Sequence, residues 1–120
     1  MDVLRCLGGR EIAAIVGAMG RAAEQGMAIL VDGFIVSSAA LVAVKHDPRI
    51  RDHMWFGHRS AEPGHTQILE SLSAHPLIDA GLRLGEGSGA LTAFPLVKAA
   101  VALHNQMATF DEATVPEREK

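Results

Sequence analysis

The sequence predicts an α/β fold with a parallel sheet. Residues 27–31 (Met-Ala-Ile-Leu-Val) are apolar without alternation, which is typical of a strand buried on both faces. Helical patterns flank this run on both sides with short joints, as in α/β proteins. The chain has 120 residues, 48% of them hydrophobic, so it can bury the core of one domain.

The first predicted helix covers residues 9–25, and Gly26 suits the position just after its end. Apolar residues recur at a helical period on one face of this helix, namely Ile12, Ile15, Val16 and Met19. After the strand at 27–31, Ser37 or Ser38 can cap a second helix over residues 39–44.

The rest of the chain predicts a strand, a polar loop and a helix-rich C-terminal portion. In order, the predicted elements are a short polar helix at 48–52, a strand at 53–56, a loop at 57–65, a helix at 66–72, either a helical turn or a strand at 77–84, and the longest helix at 90–107, capped by Ser88. We treat residues 1–115 as one segment and expect the charged tail at 116–120 to fray.

Composition narrows the class of protein. A net charge of −3 provides no basic surface for nucleic acid. The single cysteine, Cys6, excludes an internal disulfide and suits a reducing compartment, where a small core residue is favoured over a catalytic thiol. No apolar run reaches the length of a membrane span, and the first residues do not have the pattern of a signal peptide. We therefore expect a cytoplasmic protein that binds neither nucleic acid nor membranes.

Glu86 is the first candidate for chemistry. It lies in the stretch 83–89 (Arg-Leu-Gly-Glu-Gly-Ser-Gly), directly before the longest predicted helix. Glycines let the backbone approach a ligand closely, so a carboxylate there is a candidate general base. Local spacing leaves a second interpretation open, in which Glu86 is a solvated residue in a glycine-rich loop.

Two further places could bind a nucleotide. Asp32 and Gly33 follow the buried strand, where α/β sheets bind ligands, although Asp32 could equally cap its own turn. Arg59 could clamp a phosphate and Ser60 could contact its oxygens, or Arg59 could form a structural pair with Glu62. The spacing of His53, His58 and His65 fits no compact zinc motif, which favours solvated or hydrogen-bonded histidines over metal ligands.

Five segments occur together in one order along the chain. They lie at residues 8–14 (Gly-Gly-Arg-Glu-Ile-Ala-Ala), 30–36 (Leu-Val-Asp-Gly-Phe-Ile-Val), 58–65 (His-Arg-Ser-Ala-Glu-Pro-Gly-His), 82–90 (Leu-Arg-Leu-Gly-Glu-Gly-Ser-Gly-Ala) and 107–110 (Met-Ala-Thr-Phe). In these segments the chain resembles the C-terminal part of the nicotinate-nucleotide–dimethylbenzimidazole phosphoribosyltransferase family, over about residues 4–115.

The resemblance implies a fold and a reaction. It implies a Rossmann-like parallel-sheet layer in a homodimer that needs no metal or organic cofactor. The family transfers phosphoribose from nicotinate mononucleotide to 5,6-dimethylbenzimidazole, in the synthesis of the lower ligand of cobalamin. The products are α-ribazole 5′-phosphate and nicotinate.

The resemblance also implies roles for individual residues. Glu86 matches the family's general base, and Leu84, with Gly85 beside it, would line the benzimidazole pocket. The nucleotide site would be lined by Asp32, Gly33, Arg59 and Ser60, with Asp32 as a ribose contact and Ser60 as a phosphate or ribose contact.

More than half of the family's protein precedes the matching part, and the resemblance implies that it supplies the rest of the benzimidazole pocket, a second functional glutamate, a lysine and much of the sheet. We therefore expect the chain alone to be inactive, and its apolar helices to be covered by a homo-oligomer or by a partner that carries the N-terminal part. A non-catalytic oligomeric or nucleotide- or azole-binding module is the alternative. Another small α/β phosphate-binding enzyme is a third possibility.

Overall fold

The computed structural model describes residues 2–83, 85–109 and 112–113. Within those residues the elements are, in chain order, α1 (Asp2–Leu7), α2 (Arg10–Glu24), β1 (Ile29–Val31), α3 (Phe34–His46), a 3₁₀ helix (Pro48–His53), β2 (Met54–Phe56), β3 (His58–Ser60), α4 (Pro63–Ser71), β4 (Ile78–Leu82) and α5 (Ser88–Gln106). In this part of the chain, no helix is long and apolar enough to cross a membrane. The predicted tail at 116–120 lies outside the described residues.

The predicted α/β class with parallel strands is confirmed. Strand β1 pairs in parallel with β2, and β3 pairs in parallel with β4. Gly57 joins these two pairs, because its N–H donates to the carbonyl of Val31 and its carbonyl accepts from the N–H of Ile78. The strands therefore form one parallel layer, in which β2 and β3 follow one another in the middle, between β1 and β4. The carboxyl ends of the strands face the same side.

The core lies where helices α2, α3 and α4 pack on this layer. The apolar face predicted for α2 is confirmed, since Val16 and Met19 are buried and Ile12 and Ile15 pack against the same cluster. Gly26 has a φ of +69°, as expected for the left-handed residue after a helix. The other buried residues of this core cluster are Val31, Ala39, Ala40, Ala43, Ile50, Met54, Phe56, Leu69, Leu72 and Ala74.

Helix α3 begins five residues earlier than the sequence predicts. Gly33 is its N-cap, so the caps predicted at Ser37 and Ser38 are wrong. The Ser37 hydroxyl instead contacts a ring nitrogen of His65, and the Ser38 hydroxyl donates to the carbonyl of Phe34 within the helix. Serine therefore serves a tertiary contact here, which a local capping rule does not detect.

The loop predicted at 57–65 is only partly a loop. Residues 58–60 form β3, because the neighbouring strand β4 supplies hydrogen-bond partners from far along the chain. Helix α4 begins at Pro63, where the ring fixes a helical φ and no N–H is needed. The open choice at 77–84 is resolved as a strand over 78–82.

Candidate functional site

A cleft of about 730 Å³ lies at the carboxyl ends of the parallel strands. Its lining residues lie at or after the ends of β1, β3 and β4, and they are Asp32, Gly33, Phe34, Ile35, Val36, Ser60, Glu62, Arg83, Gly85, Glu86 and Gly87. Open α/β sheets bind their ligands at this edge, and the volume is in the usual range for small-molecule sites. The cleft therefore brings together most of the residues that the sequence and the resemblance suggested.

Glu86 lies on a tight turn at the cleft. The N–H of Ser88 donates to the carbonyl of Gly85 at 3.0 Å, and Glu86 and Gly87 between them have φ values of +56° and +82°. Two central residues at positive φ are typical of a type I′ turn. The left-handed conformation costs a non-glycine residue roughly 1–2 kcal/mol, so other contacts have to hold the exposed Glu86 in place.

Asp32 provides those contacts. Its Oδ2 accepts from the N–H of Gly87 at 3.2 Å, and its Oδ1 accepts from the N–H of Ala90 at 2.8 Å. Asp32 is 6% exposed, and its carboxylate lies on the positive end of the α5 dipole, an interaction that is favourable. Asp32 therefore caps a helix more than 50 residues away rather than its own turn.

The prediction that Ser88 caps α5 is wrong, because Asp32 accepts the N–H groups at the start of this helix. The N-cap of α5 is Gly87, in the left-handed conformation, and Ser88 is already inside the helix. Since Asp32 satisfies N–H groups of the first turn, the Ser88 hydroxyl is free to donate to the carbonyl of Gly85. This bond closes the Glu86 turn a second time.

Ser60 is held at the cleft by a buried histidine. The Ser60 N–H donates to Nδ1 of His65 at 2.9 Å, so the ring proton is on Nε2, which lies 2.9 Å from the Ser37 hydroxyl. Burial of the ring lowers the pKa of His65 from its usual value, which keeps it neutral. The Ser60 hydroxyl accepts from the N–H of Glu62, so its own proton can be donated to a ligand in the cleft.

Arg59 does not line the cleft. Its Nε donates to Asp79 at 2.9 Å and its Nη1 donates to the Thr66 hydroxyl at 3.2 Å. The structural pair suggested between Arg59 and Glu62 is also wrong, because Glu62 pairs instead with Arg83, at 3.1 Å.

Arg83 is the arginine that lines the cleft, and it was missed as a candidate from the sequence. Its position three residues before Glu86, in the same motif, could have identified it. Its pair with Glu62 is exposed, and such pairs contribute about 0–1 kcal/mol, so a ligand anion can displace the glutamate at little cost.

One predicted site residue, Leu84, lies outside the described residues.

The histidines considered as metal ligands are the other predicted residues. Among the residues that the structure describes, His, Cys, Asp and Glu form no group of three or more that could hold a metal ion. His58 and His65 are both fully buried beneath the cleft.

Comparisons with known proteins identify the relatives of this chain. A family model described as "Phosphoribosyltransferase" matches residues 1–115. A nicotinate-nucleotide–dimethylbenzimidazole phosphoribosyltransferase of Pseudomonas syringae pv. syringae is 60% identical over 118 residues, which are 98% of this chain and 34% of that protein. The protein of the same name from Azotobacter vinelandii is 57% identical over 115 residues, which are 96% of this chain and 33% of that protein.

A crystal structure agrees with these matches. The nicotinate-nucleotide–dimethylbenzimidazole phosphoribosyltransferase of Thermus thermophilus superposes with a TM-score of 0.90 at 46% identity, covering 97% of this chain and 35% of that one. The chain thus spans about a third of the length of the relatives that it matches. The resemblance seen in the five sequence segments is confirmed, and the chain belongs to this phosphoribosyltransferase family.

Proposed function

We propose that this chain is the part of a nicotinate-nucleotide–dimethylbenzimidazole phosphoribosyltransferase that carries the general base. The observation that carries the proposal is the exposed Glu86 carboxylate, held on a type I′ turn at the rim of the strand-end cleft. Because the chain spans about a third of its relatives' length, the rest of the protein would complete the site.

In the proposed reaction, a ring nitrogen of dimethylbenzimidazole attacks C1′ of the ribose. The C1′–nitrogen bond of nicotinate mononucleotide breaks, and nicotinate leaves with the bonding pair. Attack by the neutral base would leave a cation unless a proton departs from the other ring nitrogen. The Glu86 carboxylate takes this proton and stabilises the developing positive charge.

The start of α3 suits the phosphate of the nucleotide. A helix leaves its first N–H groups without intrahelical acceptors, and the N-cap Gly33 has no side chain to supply one. The first turn of α3 contains no acidic residue and lines the cleft, so its dipole favours an anion there. The hydroxyl of Ser60 and the guanidinium of Arg83 line the same cleft and can donate to the anion.

These contacts change the roles suggested for three residues. Asp32 is assigned to holding the Glu86 turn rather than to the ribose, since both of its oxygens already accept backbone N–H groups. Gly85 accepts the bonds that close the turn. Arg59 is assigned to bracing the β3–β4 edge through Asp79.

We further propose that the apolar outer face of α5 is covered in the complete protein, either by the remaining part of the chain or by a second copy. Several of its large side chains are at least half exposed, among them Leu91, Phe94 and Leu103. A location in the cytoplasm stays a prediction from the sequence.

A chimeric enzyme would test the function. The 118 aligned residues of this chain replace the matching residues of the Pseudomonas syringae relative, and nicotinate release from nicotinate mononucleotide is measured with and without dimethylbenzimidazole. We expect release that depends on the azole, and none from the 120-residue chain alone. A folded chimera that binds both substrates but releases no nicotinate would contradict the proposal.

A further inference from the structure

His58 is a buried histidine for which the proposed mechanism has no use. It lies on β3 beneath the cleft, its side chain is fully buried, and neither ring nitrogen has a hydrogen-bond partner among the described residues. An unsatisfied buried polar group costs about 1–3 kcal/mol, so native structures keep few of them without a reason.

The neighbouring histidine cannot satisfy His58. The ring of His65 lies near it, with centroids 6.3 Å apart, but both nitrogens of His65 are already bonded to Ser60 and Ser37. The acceptor that His58 does approach is Asp32, whose Oδ1 is 4.0 Å from Nδ1. This is about 1 Å longer than a hydrogen bond, and such contacts in unliganded sites often shorten when the site is completed.

Two glycines leave room for the ring in this position. A Cβ on Gly89, in the first turn of α5, would overlap Nδ1 of His58 and lie 2.7 Å from Oδ1 of Asp32. A Cβ on Gly33 would lie 3.1 Å from Cε1 of the ring. The imidazole is therefore packed between the end of β1 and the start of α5, which are the two elements that Asp32 connects.

We propose that His58 is a positioning residue, whose Nδ1–H holds the Asp32 carboxylate and, through Asp32, the Glu86 turn. The proposal rests on the proposed role of Glu86 as general base. His58 touches no substrate in this arrangement. It acts by limiting the orientations of a carboxylate that binds the N–H groups of Gly87 and Ala90.

Two substitutions in the chimeric enzyme separate the hydrogen bond from the packing. His58→Asn keeps an N–H donor near the place of Nδ1, whereas His58→Leu fills a similar volume without a donor. We expect His58→Leu to lower kcat about tenfold with KM for nicotinate mononucleotide changed less than about threefold, and His58→Asn to recover most of kcat. Equal kcat values for the two variants would overturn the proposal.

A double mutant tests whether His58 acts through Glu86. In a Glu86→Gln background the carboxylate that His58 is proposed to position is gone, so His58→Leu should lower the residual rate less than about twofold. A further tenfold loss in that background would mean that His58 supports the fold in general, and the proposal would fail.

Hydrogen exchange gives a readout that does not depend on activity. In the His58→Leu chimera we expect peptide 85–93, which contains the Glu86 turn, to exchange faster than in the parent and in His58→Asn, while peptide 10–24 of α2 is unchanged. Equal acceleration in both peptides, or none in either, would overturn the positioning role. If the chimera shows this pattern but releases no nicotinate, the proposed function fails and the positioning role stands.

Discussion

The two ends of helix α5 meet opposite surroundings. Its first two turns are anchored on one side, with Gly89 and Ala93 buried and the N–H of Ala90 bonded to Asp32. Away from these contacts Leu91 is already 71% exposed, and in the second half all residues from 98 to 106 are exposed, with Leu103 at 65% and Val101 at 54%. The anchored end contains a glycine and an alanine, so close backbone packing and a distant carboxylate hold the helix, and large apolar residues do not.

The largest effect is expected on catalysis, at the Glu86 turn that precedes the anchored end of α5. In the chimeric enzyme, Glu86→Gln keeps the size of the side chain but removes its basicity, so we expect kcat to fall about 10²–10⁴-fold with little change in KM. Steady-state measurement of nicotinate release tests this. Glu70→Gln, on the exposed face of α4, is the matched control and should leave kcat unchanged. A similar kcat for both variants would contradict the proposed role of Glu86 as general base.

The same substitution made at two leucines compares how much the core and the exposed half of α5 contribute to stability. Leu69 of α4 is 1% exposed, so Leu69→Ala should lower the free energy of unfolding by about 2–5 kcal/mol. Leu103→Ala removes the same atoms from a side chain that is 65% exposed, and it should cost less than about 0.5 kcal/mol. Urea denaturation of the 120-residue chain measures both. A large loss at Leu103 would show that the distal half of α5 is covered even in this chain.

Two glycines in helices test whether the anchored end is tightly packed. Gly89→Ala places a Cβ against His58 and Asp32, and we expect it to lower the free energy of unfolding by about 1–3 kcal/mol. Gly17→Ala in α2 meets open space and should raise it by roughly 0.5–1 kcal/mol, because alanine is the better helix former. Helix propensity alone predicts the same sign for both, so a gain in stability at Gly89 would contradict the packing.

A pH-dependent effect is expected at His65, whose buried ring accepts a hydrogen bond from the Ser60 N–H. The pKa of His65 is lowered from its usual value of 6.5 because the ring is buried, so the unfolded chain takes up a proton at a pH where the folded protein does not. The stability that His65 contributes is complete above pH 6.5 and is lost as the pH falls towards the folded pKa.

Denaturation at several pH values, compared between the parent chain and His65→Gln, tests this. The parent should lose up to about 1.4 kcal/mol per pH unit more than the variant below pH 6.5. Parallel pH profiles would mean that the buried ring accepts a proton without breaking its bond from Ser60.

Local patterns predicted the elements whose cause is local. The helical period of α2 follows from burial of one face, and the glycine after it follows from backbone geometry. The apolar run at 27–31 predicted a strand in a parallel sheet, and its last three residues form β1. The resemblance in five segments identified the family, because the order of sequence motifs can be compared without knowing which residues are in contact. Strand β3 was missed, since its three polar residues become a strand only through pairing with β4.

The candidate site divides in the same way. The sequence by itself determined that Glu86 lies in a glycine turn before a long helix, because glycine and helix signals are contiguous. Only the tertiary structure decided that Asp32 caps that helix and that Arg83 rather than Arg59 lines the cleft. These decisions depend on hydrogen bonds and ion pairs between residues 20 to 60 positions apart, and the backbone reaches those partners only when the parallel strands bring their carboxyl ends together.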